Sequence, residues 1–300
     1  MKAINNAIVG FVRILPKSIV KIFAKKYVAG ENLEEAINVV KVLNAKGIIA
    51  TMDVLGESIQ NKEEAITAKD EYLELLDAIE DHKLNSNVSI KPTQLGLGID
   101  TEFCYNLVDE ILTKAKQLNN FVRIDMEDSP YTDKTIELFL QLREKHENVG
   151  IVLQSYLRRT LDDVKMLNKK GGHYRLCKGI YVEPEEIAFK GKQEVRDNFM
   201  ASLKLMFEDG NYVGIATHDK YLIDESYKLI EEMKIPNEKF EFQMLYGVTE
   251  HLRDRINKDG YKIRVYIPFG EHWYAYSIRR LQENPAMAWH ITKSIFSFRK

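Results

Sequence analysis

Two adjacent arginines near the C-terminal end of the sequence are well suited to binding an anion. They lie in the segment YAYSIRRLQENP as Arg279 and Arg280. On a helix, both would share one face with Tyr276 and Glu283. Guanidinium groups hold a carboxylate through paired hydrogen bonds and stay charged in partly dry surroundings. The segment is interpreted either as a carboxylate clamp with aromatic walls or as a solvated helix face on which Arg279 pairs weakly with Glu283.

Ionisable side chains also stand at the ends of short apolar segments. Lys91 ends the run NVSIK, and Asp125 follows the apolar part of FVRID. Lys91 could be a surface lysine with its stem on apolar residues, a Schiff-base amine, or a third cation beside the arginine pair. Asp125 could cap a turn, or it could orient and neutralise nearby cations.

A further basic segment, RLCKGIYVEP, contains Arg175 and Lys178 followed by Gly179. Glycine at that place would let the backbone approach a ligand closely. The pattern is typical either of an alternating barrel strand with basic ends or of a site for a polyanionic or electron-rich cofactor. A lone GxG at 96–98 is a weak signal, so any nucleotide would be bound without the dinucleotide fingerprint.

A metal site is disfavoured by the arrangement of the histidines. Asp125 and Glu127, in the segment DMED, resemble metal ligands, and His218 follows a predicted strand. No HExxH segment occurs in the sequence, and no HxH follows the first predicted strand. We therefore expect no metal cofactor.

Eight β-rich runs alternate with longer amphipathic segments whose apolar residues recur at helical spacing. The runs cover 48–54, 87–91, 121–126, 150–154, 173–178, 213–217, 240–245 and 263–267. Strand–helix units repeated in this way predict an α/β fold, a closed (βα)₈ TIM-like barrel with its chemistry at the C-terminal ends of the strands. An open doubly wound sheet is the alternative, but the first run lacks the glycine-rich turn that would favour it.

Composition limits the possible functions. The chain has 300 residues, a formal net charge of −2 and two cysteines, Cys104 and Cys177, which form no CxxC. The charge argues against a nucleic-acid partner. The cysteine usage indicates a reducing compartment, and no apolar run is long enough to span a membrane. We expect a cytoplasmic protein.

The N-terminal residues differ from the rest of the chain. Residues 1–30 contain six basic residues and no acidic residue, and they include an amphipathic pattern of Val9, Val12, Ile19, Ile22 and Phe23. We expect a basic helical arm over 1–32, preceding the barrel domain over 33–300. The arm could pack on the barrel, or it could contact an anionic membrane surface from the cytoplasmic side.

Between about 48 and 285 the chain contains, in this order, the segments DVLGE, SIK, RIDMED, LQSY, RLCKGIY, ATHD, EFQMLYG, RVYIPFG and YxxRRLxEN. This ordered set resembles that of proline dehydrogenases. The chain is similar to the short monofunctional bacterial type, which is related to the dehydrogenase domain of the bifunctional proline utilisation A proteins. The resemblance implies a (βα)₈ barrel with non-covalent FAD. It further implies that L-proline is oxidised to Δ1-pyrroline-5-carboxylate by hydride transfer to flavin N5, with electrons passed to a membrane quinone.

Roles for individual residues follow from the same resemblance. It implies that the proline carboxylate is held by Lys91, Arg279 and Arg280. The pyrrolidine ring would be walled by Tyr181, Leu245, Tyr266 and Tyr276. Glu57 would pair with Arg279 as a gate, and Asp125 would order the ions around the substrate.

For the cofactor, the resemblance places Arg175 near flavin N5, as a catalytic residue together with Asp125. The remaining FAD contacts would come from Met126, Gln154, Lys178, Gly179, Ile180, Thr217, His218 and Glu283.

Two other functions remain open on the residues alone. One is a barrel aldolase or metal-dependent hydrolase using Lys91 or Lys178, or Asp125, Glu127 and His218. The other is a membrane-associated binding barrel without turnover.

Overall fold

The computed structural model describes residues 20, 21, 24, 26–56, 59–274, 276 and 277. Parallel strands within this part close into a barrel in which each strand pairs with its neighbours in chain order. They are β1 (Ile49–Val54), β2 (Ser86–Ile90), β3 (Val122–Ile124), β4 (Val149–Gln154), β5 (His173–Cys177), β6 (Tyr212–Ala216), β7 (Phe240–Leu245) and β8 (Ile263–Phe269). Every predicted strand is present to within two residues, so the predicted (βα)₈ barrel is confirmed.

Helices surround the barrel, one before the first strand and one in each connection between strands. They are α1 (Leu33–Asn44), α2 (Lys62–Asp81), α3 (Thr101–Gln117), α4 (Ser129–Lys145), α5 (Thr160–Asn168), α6 (Lys192–Glu208), α7 (Lys220–Met233) and α8 (Glu250–Lys258). In the described part of the chain, none of the helices is long and apolar enough to cross a membrane.

Several helices begin where the sequence supplies an amide or carboxylate cap. The side chains of Asn32, Asn61, Asp100 and Asp219 each accept a hydrogen bond from a backbone N–H in the first turn. Such a cap stabilises a helix start by about 1 kcal/mol. The caps therefore fix where the chain leaves a strand end and turns into the outer layer.

Alternation along the strands separates an apolar outer face from a polar inner face. The aliphatic side chains of the outer face, among them Ile90, Ile124, Ile151 and Ile215, are fully buried against the helices. The inner face instead carries charged and polar residues, so the barrel interior is a buried polar layer and the main apolar core lies between sheet and helices.

The N-terminal end of the barrel is filled by stacked aromatic rings and the buried guanidinium group of Arg123. His173 lies between Phe121 and Tyr212, with ring centroids 4.2 Å away on each side. Arg123 approaches His173 through Nη2, 2.8 Å from the ring Nδ1. A Cβ at position 150 would collide with the guanidinium of Arg123, so Gly150 makes room for it.

A buried ion pair lies beside this layer. The Nε of Arg264 donates to Oε1 of Glu241 at 2.5 Å, and its Nη2 donates to Oε2 at 3.0 Å. Burial alone would raise the pKa of Glu241, but the guanidinium of Arg264 outweighs it, and the pKa lies below its usual value.

The described residues of the arm lie against the C-terminal end of the barrel. The N–H of Ala29 donates to the carbonyl of Pro268 at 2.9 Å, and Ala24 and Val28 pack with Leu55 and Tyr276. The amphipathic pattern over 9–23, on which the membrane interpretation rests, lies outside the described residues.

Acid should destabilise the fold through His173. Burial, followed by the nearby guanidinium groups of Arg123 and Arg264, lowers the pKa of His173 well below its usual value. The unfolded state therefore takes up a proton that the folded state does not, as pH falls below about 6.5. The free energy of unfolding should then decrease by at most about 1.4 kcal/mol per pH unit from this group.

The check is urea unfolding between pH 7.5 and 5.5, comparing wild type with His173→Asn, whose side-chain carbonyl can still accept from Arg123. The variant should lose less stability on acidification. Equal losses in the two proteins would contradict the assignment.

Candidate active site

A cavity of about 470 Å³ opens at the C-terminal end of the barrel. It brings together every predicted site residue that the structure describes. These are Lys91, Asp125, Met126, Gln154, Arg175, Lys178, Gly179, Ile180, Tyr181, Thr217, His218, Leu245, Tyr266 and Tyr276. The predicted residues Glu57, Arg279, Arg280 and Glu283 lie outside the described part of the chain. The roles assigned to all of them remain predictions.

Lys91 enters the cavity from the end of β2 and is held by a carboxylate below it. Its Nζ lies 2.6 Å from Oδ2 of Asp53, which is fully buried. Burial raises the pKa of Asp53, and the ammonium group of Lys91 opposes that effect. Tyr72, from α2, donates its hydroxyl to Oδ1 of Asp53 at 3.1 Å, so both carboxylate oxygens are bound. The pair fixes the position of the lysine side chain.

Asp125 and Arg175 form a second ion pair across the cavity floor. Nη1 of Arg175 lies 2.6 Å from Oδ1 of Asp125 and 3.0 Å from the hydroxyl of Ser89. Oδ1 of Asp125 also accepts from Ser89 at 2.7 Å, while Oδ2 accepts from the hydroxyl of Tyr266 at 3.0 Å. The guanidinium carbon of Arg175 lies 5.4 Å from the centre of the Tyr266 ring.

Tyr266 connects the two ion pairs. Its hydroxyl oxygen lies 3.4 Å from Nζ of Lys91, and the hydroxyl donates to Asp125. Burial, followed by the charges of Asp125 and Asp53, raises the pKa of Tyr266 well above its usual value. The phenol therefore remains protonated and serves as a hydrogen-bond donor, not as a base.

Buried polar atoms in the cavity wall lack partners among the described residues. They include Nη2 of Arg175 and Oε1 of Gln154. Gln154 is itself oriented, because its Nε2 donates to the carbonyl of Met126 at 2.9 Å. Buried donors and acceptors are nearly always hydrogen-bonded in native proteins, so these two atoms of cavity-lining residues are candidates for contact with a polar ligand.

Gly179 lies in the cavity wall in a backbone conformation that other residues rarely adopt. Gly179 has φ of +101°, a region that favours glycine, and a Cβ there would collide with the ring of Tyr156. The chain can follow this path only with glycine, and it brings Lys178 and Ile180 to the rim. Lys178 Nζ lies 3.6 Å from Oδ2 of Asp219, which Arg196 also binds.

His218 is hydrogen-bonded to the end of β7 and to the loop that follows it. Its Nε2 accepts from the backbone N–H of Leu245 at 3.0 Å, and its Nδ1 lies 2.7 Å from the hydroxyl of Thr249. With both ring nitrogens engaged, His218 is poorly placed to bind a metal ion. Among the described residues, no group of three or more His, Cys, Asp or Glu could hold one.

The charged groups of the site bind and orient more readily than they transfer protons. Asp125 already accepts three hydrogen bonds, and Lys91 is ion-paired. Burial raises the pKa of Cys177 to about 11, so its thiol is protonated at neutral pH. A Schiff-base mechanism would need Lys91 as a neutral amine, which the ion pair with Asp53 disfavours. This arrangement suits a reaction whose chemistry is supplied by a bound cofactor.

Sequence analysis missed several residues around the cavity. Tyr27 reaches it from the arm, and Gln243 lies in its wall, while Asp53 and Ser89 support the ion pairs from below. The alternation of strand residues could have identified some of them, because Ser89 and Gln243 each lie two residues before a predicted site residue, Lys91 and Leu245. Tyr27 carries no such signal.

The ion pair of Asp53 and Lys91 predicts a testable stability difference. Asp53→Asn leaves a buried ammonium without its counter-charge and should lower the free energy of unfolding by about 3–5 kcal/mol. Asp53→Asn combined with Lys91→Met removes both charges and should recover much of that loss. Urea unfolding of wild type, both single variants and the double variant would measure the coupling. Additive effects would show that the two groups do not interact.

The sequence of this chain is similar to those of known proteins. The family model described as proline dehydrogenase matches residues 36–293. Proline dehydrogenase 2 of Bacillus subtilis (strain 168) is 40% identical over 266 residues, covering 89% of this chain and 88% of the relative. Proline dehydrogenase of Deinococcus radiodurans is 37% identical over 270 residues, covering 88% of this chain and 87% of the relative.

A solved structure resembles the barrel. It is proline utilization A from Bdellovibrio bacteriovorus inactivated by N-propargylglycine, with a TM-score of 0.80 and 28% identity. The similarity covers 87% of this chain but 32% of that protein. Barrel, cavity and sequence agree, and the chain belongs to the proline dehydrogenase family.

Proposed function

We propose that this protein oxidises L-proline to Δ1-pyrroline-5-carboxylate with bound FAD. The observation that carries the proposal is Arg175. It is a buried guanidinium in the cavity wall, tied to Asp125, with Nη2 unpartnered among the described residues. A fixed cation of this kind suits a cofactor that becomes more negative during the reaction. The family membership supports the same conclusion.

The residues of the cavity fit a flavin. Arg175 and Gln154 offer a buried donor and a buried acceptor, and Gly179 lies in the cavity wall. Lys178, Thr217 and His218 would contact the remainder of FAD, together with Met126 and Ile180. When bound, FAD would accept the hydride lost as the C–N bond of proline becomes the C=N bond of the product.

Charged side chains would bind the carboxylate of the substrate, and apolar side chains would pack on its ring. Lys91, positioned by Asp53, would contribute to holding the proline carboxylate, and Arg279 and Arg280 would provide bidentate contacts. The ring would pack on Tyr181, Leu245, Tyr266 and Tyr276, which line the cavity. Glu57 would close the site by pairing with Arg279.

Proton handling in this scheme needs no strong protein base. Asp125 is bound by Ser89, Arg175 and Tyr266, so its main effect is to balance the charge of Arg175 and to fix its position. Proline would react as the neutral amine after its ammonium group loses one proton to solvent. Loss of hydride from the ring carbon would leave a protonated imine, and release of its remaining N–H proton to solvent would give Δ1-pyrroline-5-carboxylate.

The electron acceptor in this proposal is a membrane quinone. Support comes from the basic sequence of residues 1–30, which suits peripheral contact with anionic lipid. Ala24 and Val28, near the end of this segment, pack on the barrel beside the cavity. A reduced cofactor in the cavity would therefore lie close to any membrane that the arm contacts.

The visible spectrum tests the proposal directly. The purified protein, reconstituted with FAD if necessary, should be yellow, and its flavin absorbance should bleach when L-proline is added anaerobically. D-Proline serves as the control, because the fixed cations should select one configuration at the carbon that bears the carboxylate. A colourless protein that cannot be reconstituted, or one that ignores L-proline, would end the proposal.

The carboxylate clamp predicts a second outcome. Arg280→Lys replaces a planar fork with a point charge and should raise the KM for proline by about tenfold or more, with a smaller effect on kcat. The matched control is Arg255→Lys, because Arg255 lies on α8 and pairs with Asp224. Steady-state kinetics with a dye acceptor would measure both. An unchanged KM in Arg280→Lys would remove Arg280 from the clamp.

A further inference from the structure

We infer that Gln243 is a positioning residue for Arg175, and that the buried Arg264–Glu241 ion pair fixes the orientation of its amide. The kinetic consequence rests on the proposed function, whereas the geometric claim does not. Gln243 lies on the inner face of β7, with Arg175 on β5 and Arg264 on β8. The chain of contacts therefore runs from the interior of the barrel to the cavity wall.

The amide of Gln243 has one usable orientation. Its Oε1 accepts from Nε of Arg175 at 2.5 Å, and its Nε2 donates to Oε1 of Glu241 at 2.6 Å. Rotating the amide by half a turn would direct an NH₂ group at the arginine and a carbonyl at the carboxylate. Both contacts would become repulsive, so the charges on either side hold the amide.

Glu241 is itself held in place. Arg264 binds both of its carboxylate oxygens, and Nη1 of Arg264 donates to the carbonyl of Ala50 at 2.5 Å and to Oδ1 of Asn87 at 2.8 Å. These contacts join β1, β2, β7 and β8. The anchor for Gln243 is therefore the closed barrel, not a mobile side chain.

The barrel also reserves space for this amide. Gly214, on β6 between the strands of Arg175 and Gln243, would place a Cβ in collision with Nε2 of Gln243. A side chain at position 214 would have to displace the amide. Glycine in the interior of a strand often marks such a close approach.

The consequence for Arg175 is a guanidinium anchored on two edges. Nη1 binds Asp125 and Ser89, and Nε binds Gln243. Two anchors fix the plane of the group, and they leave Nη2 as the donor without a partner among the described residues. Removing the Gln243 contact would leave the plane held from one edge alone, and Nη2 would lose its defined direction.

The test is Gln243→Met in the full chain with FAD bound, since methionine keeps the length of the side chain without its hydrogen bonds. The rate of anaerobic flavin reduction by L-proline should fall by about tenfold or more, while the KM for proline changes by less than about twofold. The flavin midpoint potential should become more negative, because a less constrained cation stabilises the reduced form less. The matched control is Thr51→Val, whose inward hydroxyl has no partner among the described residues.

A second variant and a cofactor-free readout keep the inference testable. Gly214→Ala displaces the amide of Gln243 without removing a polar group, and it should also slow flavin reduction. It therefore provides the test if Gln243→Met does not fold. In both variants the Nε–H resonance of Arg175, identified by its loss in Arg175→Lys, should shift and exchange faster with water. Folded variants with wild-type reduction rate, potential and Nε–H signal would overturn the inference. If wild type itself did not react with proline, the proposed function would fail, and the Nε–H signal would still decide the role of Gln243.

Discussion

The structure depends on pairing opposite charges inside a closed barrel. Asp53 faces Lys91, Asp125 faces Arg175, and Glu241 faces Arg264, each within hydrogen-bond distance. An isolated charge at these buried positions would cost several kcal/mol, whereas a paired and hydrogen-bonded charge is tolerated. Tyr266 and Gln243 bridge successive pairs, so the interior is one connected network. The apolar layer outside the sheet excludes water from it and keeps these contacts strong.

This pairing limits what the described cations can do for an anionic substrate. The charge of Lys91 is largely balanced by Asp53, and that of Arg175 by Asp125. These two cations would therefore orient a bound ligand, because the ammonium group and the guanidinium edge are held in fixed positions. In the proposed function, net attraction for a carboxylate must come mainly from Arg279 and Arg280, which is why we assign the large change in KM to the arginine pair.

The sequence was most informative about elements whose signal is local. Runs of β-branched residues predicted the strands, and strand ends identified Lys91, Asp125 and Arg175 as neighbours, because a parallel barrel gathers those ends. The partners beneath them were harder to predict. That Asp53 meets Lys91, or that Gln243 meets both Arg175 and Glu241, depends on the stagger between strands and on Gly214 leaving space. The contact of Tyr27 depends on the path of the arm across the barrel, which no periodicity encodes.

The unpartnered atoms connect stability to ligand binding. Nη2 of Arg175 and Oε1 of Gln154 are buried without partners among the described residues, and a buried polar atom in that position bears a desolvation cost of about 1–3 kcal/mol. A ligand that binds both atoms relieves that cost only in the folded state, so its affinity appears as added stability. The network around Gln243 and Glu241 prevents the alternative, in which Arg175 turns to find another partner within the protein. The same rigidity that keeps Arg175 from turning is what would make a bound flavin well oriented.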